Sequence, residues 1–159
     1  MLRKPLVIVN GQFQQLQAGD TLDATVGAAQ ELSLTNGNAG TINIGMAVYI
    51  SAADTVDLAK ADAAATKDVI GLVKDTTIAA AASGTVVLDG VLVATTGQWD
   101  AVTGDTGGLT PGSKYWLDPT TAGSITKTAP TTVGKYVVPL GKAISTTEFM
   151  IDIEEPVLL

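Results

Sequence analysis

The sequence contains no cysteine and no histidine among its 159 residues. It therefore has no disulfide, no cysteine nucleophile, no Ser-His-Asp triad and no histidine-ligated zinc. Aromatic residues are scarce too, with two Trp, three Tyr and two Phe. The core must be built mainly from Val, Ile, Leu and Ala, and little material remains for an aromatic-lined glycosidase cleft. We predict that the protein is not an enzyme and binds no cofactor or metal.

Positive charge is also in short supply. Nine Lys and Arg stand against 16 Asp and Glu, giving a net charge of −7 and a pI near 4.3. An acidic chain repels phosphate backbones, so we expect no nucleic-acid partner. No stretch approaches the roughly 20 apolar residues of a membrane helix, and the apolar run at 6–9 is too short for a signal peptide. We expect a soluble protein with no membrane or small-molecule partner.

What the sequence does have is an internal repeat, which fixes the architecture of a chain. Residues 45–74 align with residues 112–142. At a spacing of 67 residues Tyr49 falls on Trp116, Leu58 on Ile125 and Lys60 on Lys127, and at a spacing of 68 residues Leu72 falls on Leu140 and Lys74 on Lys142. With seventeen Gly and many short β-prone runs, this repeat predicts an all-β fold, a small β-sandwich or barrel with a duplicated module.

Two segments of the repeat need interpretation. The Ala-rich residues 59–67 look helical by propensity, but their counterpart, residues 126–135, contains Pro130 and several Thr. We therefore predict strand or loop in both places. The Gly-, Asp- and Thr-rich residues 96–112 are interpreted as the separator between the two copies.

The two chain ends are the candidate contact segments. Asn10-Gly11 between β-prone runs is a strong hairpin signal, and residues 1–22 form either a first hairpin of the core or an extended arm that clasps a neighbour. Four Gln within residues 12–17 favour the N-terminal arm, followed by a single β domain over residues 23–159. The tail after Pro156 is apolar and should pack on this subunit or another. The predicted interaction residues are Leu6, Val7, Ile8, Val9, Phe13, Leu16, Val157, Leu158 and Leu159.

Three patterns resemble catalytic or metal-binding motifs, and each has a simpler interpretation. Ser124 to Lys127 matches S-x-x-K but lies in a β-like segment, and Gly107 to Lys114 departs from a P-loop because Ser and Lys are transposed. Two acidic pairs could offer oxygen to Ca²⁺, but neither has EF-hand spacing: Asp54 with Asp57, and Asp100 with Asp105. We interpret the first as a chance match in a β-like segment, the second as a hairpin turn, and the acidic pairs as turns that bind no metal.

Three segments resemble phage proteins. Residues Lys4 to Leu22, KPLVIVNGQFQQLQAGDTL, resemble a segment found in structural proteins of tailed-phage virions, including tail fibres. Residues Gly108 to Ser145 are similar to a β-module that recurs in phage fibre and capsid-associated proteins. The first copy, with GLVKD at 71–75 before a strand, is similar in layout to small phage head decoration proteins.

The resemblance implies a structural role. It points to a capsid decoration, or cement, protein that binds the major capsid protein as a homotrimer and stabilises the head. Such a protein would be made in the host cytoplasm and located on the capsid surface of the virion. One alternative is a tail-fibre or head-fibre component, although a fibre chain is normally longer. Another is a receptor- or carbohydrate-binding module, for which Trp99, Tyr115 and Trp116 are the residues to consider.

Overall fold

The structure, a computed structural model, describes residues 29–159 and the backbone of two strands, β1 (Leu6–Val9) and β2 (Gln12–Gln15). These two strands pair antiparallel, with Val9 opposite Gln12, as the Asn-Gly signal predicts. The side chains of both strands, and all of residues 16–28, lie outside the described residues. The predicted contacts of Leu6–Val9, Phe13 and Leu16 therefore stay predictions.

The first half of the described chain forms a closed five-stranded barrel. Its order is β3-β6-β5-β7-β9, and β3 closes the barrel by pairing antiparallel with β9 and parallel with β6. Two short strands, β4 and β8, pair with each other as a separate sheet. The strands are β3 (Glu31–Asn36), β4 (Ile42–Asn43), β5 (Ala47–Ala52), β6 (Thr55–Leu58), β7 (Val69–Val73), β8 (Thr77–Ile78) and β9 (Ser83–Val87).

The second half forms a five-stranded sheet and a two-stranded one. The order of the larger sheet is β12-β11-β14-β15-β10, and β13 pairs with β16. One helix, α1 (Thr96–Thr103), lies between its first two strands in the chain. The strands are β10 (Gly90–Val93), β11 (Lys114–Leu117), β12 (Ile125–Thr126), β13 (Tyr136–Val137), β14 (Pro139–Ala143), β15 (Glu148–Ile151) and β16 (Val157–Leu158).

The two halves share one strand order. If the five strands of the barrel and of the larger sheet are each numbered 1 to 5 along the chain, their order in space is 3-2-4-5-1 in both halves. Each half also has a register shift at the same place, between Val48 and Tyr49 in the first and between Tyr115 and Trp116 in the second. The predicted duplication is confirmed, and it extends to the five-stranded units of residues 31–87 and 90–151, here called the first and second units.

The sequence alignment placed the later strands of the two copies 68 residues apart, and this spacing was wrong by two residues. Val48 pairs with Gly71 and its equivalent Tyr115 pairs with Gly141, so these two glycines, 70 positions apart, correspond. A Cβ at Gly71 would lie 2.3 Å from the Val87 carbonyl oxygen, and a Cβ at Gly141 would lie 2.0 Å from the Met150 carbonyl oxygen. Close backbone approach therefore fixes the register, whereas matching leucines and lysines in the sequence misplaced it.

Residues 96–112, interpreted as the separator, do lie between the two predicted copies, and they contain a helix, α1, that was not predicted. The Thr95 side chain accepts a hydrogen bond from the Gln98 N–H, and the Gln98 side chain accepts one from the Thr95 N–H. This capping box begins the helix, and Gly104 in the left-handed conformation ends it. Residues 59–67, predicted as strand or loop despite their Ala content, form turns.

Two hydrophobic clusters hold the chain together. One fills the barrel of the first unit with Val and Ile side chains, together with Leu34. The other fills the second unit around Trp99, Tyr115 and Phe149, and it includes Ala47, Leu72 and Val87 from the first unit. The two units therefore share a core. Within the described residues no helix has the length and apolar character needed to span a membrane.

Candidate functional site

The apolar C-terminal tail forms the outer strand of a two-stranded sheet. In β16, Val157 pairs with Val137 and Leu158 with Tyr136. The Leu159 N–H donates to the Lys135 carbonyl at 3.0 Å, which extends the pairing to the last residue. The backbone of the tail therefore packs on this chain, which is one of the two alternatives that the sequence left open.

The side chains of the tail are not covered. Val157 is 58% exposed, Leu158 60% and Leu159 39%. Val133, close to them because the Gly134 N–H donates to the Leu159 carbonyl, is 87% exposed. We call these four residues the tail surface. Clustered apolar side chains on a held strand are typical of a protein interface rather than of a catalytic centre.

A groove of about 960 Å³ lies beside the tail, where the two units meet. The aliphatic lining residues, which are buried or half-buried, form its floor: Val69 and Ile70 from β7, Ile151 at the end of β15, and Ile153 beyond that strand. Pro156, which also lines it, leads directly into β16. We call this the seam groove, and it is continuous along the chain with the tail surface.

The rim of the seam groove is acidic. Five carboxylates line it, and no lysine or arginine is among its lining residues: Asp68, Asp89, Asp152, Glu154 and Glu155. Asp68 pairs with Lys67, and Glu154 pairs with Lys114 at 2.5 Å. None of the ion pairs found among residues 29–159 involves the other three carboxylates. The groove therefore favours a partner that is both apolar and positively charged.

The loop before β7 contacts β13, the strand that pairs with the tail. The Tyr136 N–H donates to the Ala61 carbonyl at 2.9 Å, and the Lys67 ammonium lies 5.5 Å from the centre of the Tyr136 ring. Lys60 and Asp62 in this loop form an ion pair at 2.9 Å. The hydrogen bond from Lys60 lowers the pKa of Asp62 below its usual value, and the charges of Lys60 and Lys135 add to this, while desolvation acts in the opposite direction.

The three motif-like patterns form ordinary turns and strands. Ser124 precedes the short strand β12, so it is not one helical turn from Lys127. The segment from Gly107 to Lys114 is irregular and ends in β11, with no helix after it. In the described part of the chain no group of three or more acidic side chains could hold a metal ion.

Three of the four carboxylates considered for Ca²⁺ make contacts inside the fold instead. Asp100 accepts hydrogen bonds from the Gly107 and Gly108 N–H groups, at 3.1 and 2.6 Å. Asp105 pairs with Lys127 at 3.0 Å. The Asp57 carboxylate accepts from the Asn38 amide at 2.8 Å. These three carboxylates stabilise loops through hydrogen bonds and an ion pair.

Two of the three aromatic residues considered for sugar binding belong to the core. Trp99 and Tyr115 are both 0% exposed, and only Trp116 is partly accessible. The Trp99 indole N–H donates to the Thr147 carbonyl at 3.0 Å, and the Tyr115 hydroxyl accepts from the Thr110 N–H at 2.9 Å. An aromatic platform built on Trp99 and Tyr115 is therefore wrong.

Comparison with protein-family models found no model that matches the chain, and comparison with curated protein sequences found no match either. The resemblance to phage proteins therefore stays a prediction from the segments quoted above.

Proposed function

We propose that this chain is a non-enzymatic structural protein of a tailed-phage virion, a capsid decoration protein that binds the major capsid lattice as a homotrimer and stabilises the head. The observation that carries the structural role is the tail surface, where three apolar side chains stand 39–60% exposed on a strand with a fixed backbone. The phage assignment comes from the resemblance of residues 4–22 and 108–145.

The tail surface supports an interface because exposure of these side chains has no benefit for the chain alone. Covering apolar surface contributes about 25 cal/mol per Å² removed from water. A backbone already held by pairing with β13 loses little conformational freedom on binding, so more of this gain remains as affinity. Repeated over a symmetric lattice, such contacts would reinforce a shell.

The test is binding to purified capsid shells that lack the protein, measured by co-sedimentation and by negative-stain imaging. We expect saturable binding at regular lattice points. Truncation to residues 23–159 should abolish it if the N-terminal arm makes the shell contact, and the paired substitution Val157→Ser with Leu158→Ser should weaken it about tenfold.

The matched control is Val93→Ser on β10, since Val93 is 59% exposed and lies away from the tail in the sheet pairing. Its binding should equal that of the unaltered protein. Absence of binding to shells, together with binding to tails or fibres, would overturn the decoration role and favour the fibre alternative. Equal losses from Val93→Ser and from the tail substitutions would remove the tail surface from the interface.

A further inference from the structure

We propose that the seam groove is the docking site for the N-terminal arm of a second copy of this chain, with Arg3 and Lys4 at its acidic rim and the run Leu6–Val9 on its apolar floor. The proposal rests on the self-association within the proposed function, and not on shell binding.

The first argument is charge complementarity. Among the nine basic residues of the sequence, Arg3 and Lys4 are the only two that are adjacent. The groove offers five carboxylates and no cation on its lining. In a chain with net charge −7 two copies repel each other overall, so a contact between this basic pair and the three groove carboxylates without an ion-pair partner in the described residues would favour association.

The second argument is the order of polarity along the arm. Proline follows the basic pair, and then come four consecutive apolar residues, Leu6–Val9, which form β1. The groove has the same arrangement in cross-section, with exposed carboxylates above half-buried aliphatic side chains such as Val69, Ile70 and Ile153. An extended segment with a charged end and an apolar strand matches that profile.

The third argument is where the arm joins the described chain. The Gln30 N–H donates to the Asp89 carboxylate at 3.0 Å, and Ala29 lies against Gly90. The continuous described chain therefore begins next to Asp89, one of the groove carboxylates. Residues 16–28, if extended, span up to about 43 Å at 3.3 Å per residue, enough to reach the same groove on a neighbour.

A second copy is favoured over the same chain by the tail surface. Pro156 lines the groove, and the exposed Val157 and Leu158 follow it directly. The groove and the tail surface thus form one continuous apolar area. An arm that folded back on its own chain would occupy the groove alone, whereas a neighbour that supplies an arm also brings a surface to cover the tail.

Charge reversal in pairs tests this in the full chain. One variant carries Arg3→Glu and Lys4→Glu, and the other carries Asp152→Lys and Glu155→Lys. Sedimentation equilibrium should show self-association of the unaltered protein, weakened about tenfold or more in each variant alone. Lys127→Glu, a reversal outside the groove, is the control and should associate normally.

Mixing the two variants gives the decisive readout. In a mixed ring of three subunits, two of the three arm–groove contacts join opposite charges, so association should rise well above that of either variant alone. Failure of the mixture to associate, while all four substitutions on one chain restore the native state, would show docking within one chain and overturn the proposal. A monomeric unaltered protein, or reversals without effect, would overturn it as well.

Shell binding separates this inference from the proposed function. Self-association through the groove without binding to shells would leave the inference standing and remove the decoration role. Binding to shells by a chain that is monomeric would do the reverse.

Discussion

The first and second units have the same strand order but complete it in different ways. In the first unit β3 closes the barrel by backbone pairing with β6, and the buried hydrophobic cluster is built from aliphatic side chains. In the second unit no pairing between β10 and β12 occurs in the described sheet, and α1 contacts β12 instead. Its interior is filled by Trp99, Tyr115 and Phe149.

The difference shows how one topology can serve two roles. A barrel closed by hydrogen bonds needs few large side chains, which suits a scaffold. In place of that closure, the second unit has a helix and three packed aromatic rings. The centroid of the Phe149 ring lies 5.7 Å from that of Trp99 and 5.9 Å from that of Tyr115. It also carries β13 and β16, which have no counterpart among the strands of the first unit and which present the tail surface.

The largest effect should come from removing the aromatic core of the second unit. Trp99→Ala loses a fully buried ring and the hydrogen bond to Thr147, so we expect the free energy of unfolding to fall by about 3–5 kcal/mol. Urea denaturation followed by fluorescence and circular dichroism measures it. Ile42→Ala in the first core should cost about 2–5 kcal/mol. A loss below 1 kcal/mol for Trp99→Ala would contradict the role of α1 in filling this unit.

The equivalence of the two units is tested next by their matched glycines. Gly71→Ala and Gly141→Ala both drive a Cβ into a neighbouring carbonyl oxygen, and each should cost about 1–3 kcal/mol or more. Gly97→Ala, in α1 with open space around it, should instead be neutral or stabilise by up to about 1 kcal/mol. Thermal unfolding of the three variants provides the comparison. If one of the two strand glycines tolerated alanine, the proposed register would be wrong.

A smaller loss of stability is expected at a position where the two units carry different residues. Tyr115 corresponds to Val48, and only the tyrosine has a hydroxyl, which accepts from the Thr110 N–H. Tyr115→Phe should cost about 1–2 kcal/mol because that N–H loses a buried partner. Val48→Thr, which adds a hydroxyl at the aliphatic position, is the converse variant and should also destabilise. Unchanged stability of Tyr115→Phe would mean that water replaces the hydroxyl.

The smallest effect concerns pH. The pKa of Asp62 is lowered by Lys60 in the folded chain, so the ionised carboxylate stabilises the fold above its unfolded pKa. That contribution is lost as the pH falls through the lowered pKa of the folded state. Asp62→Asn should reduce stability at pH 7 by less than about 1 kcal/mol and by less still at acidic pH. Equal losses at both pH values would exclude the ion pair as the cause.

Much of this fold could be predicted from the sequence because turns and short β-prone runs leave strong local signals. The all-β class and the duplication followed from such signals. The register of the later strands did not, since it depends on which backbone passes close to Gly71 and Gly141. The helix α1 was missed because its capping box, Thr95 with Gln98, lies in a segment rich in Gly and Thr.

The candidate site was predictable only in part. The apolar tail after Pro156 predicts Val157, Leu158 and Leu159 as contact residues; the structure shows that they are exposed, and the contact itself stays a prediction. The seam groove could not be foreseen, because its walls come from β7 and from residues after β15, about 80 positions apart in the chain. The burial of Trp99 could not be foreseen either, because it packs against Phe149 of β15, which is 50 positions away in the chain.

The most direct test of the account is hydrogen–deuterium exchange of the full chain with and without empty capsid shells. We expect protection to rise at β16 and its partner β13, while the barrel strands β5 and β6 exchange as before. Protection confined to β5 and β6, or unchanged exchange throughout in the presence of shells, would contradict an interface built from the tail surface and the second unit.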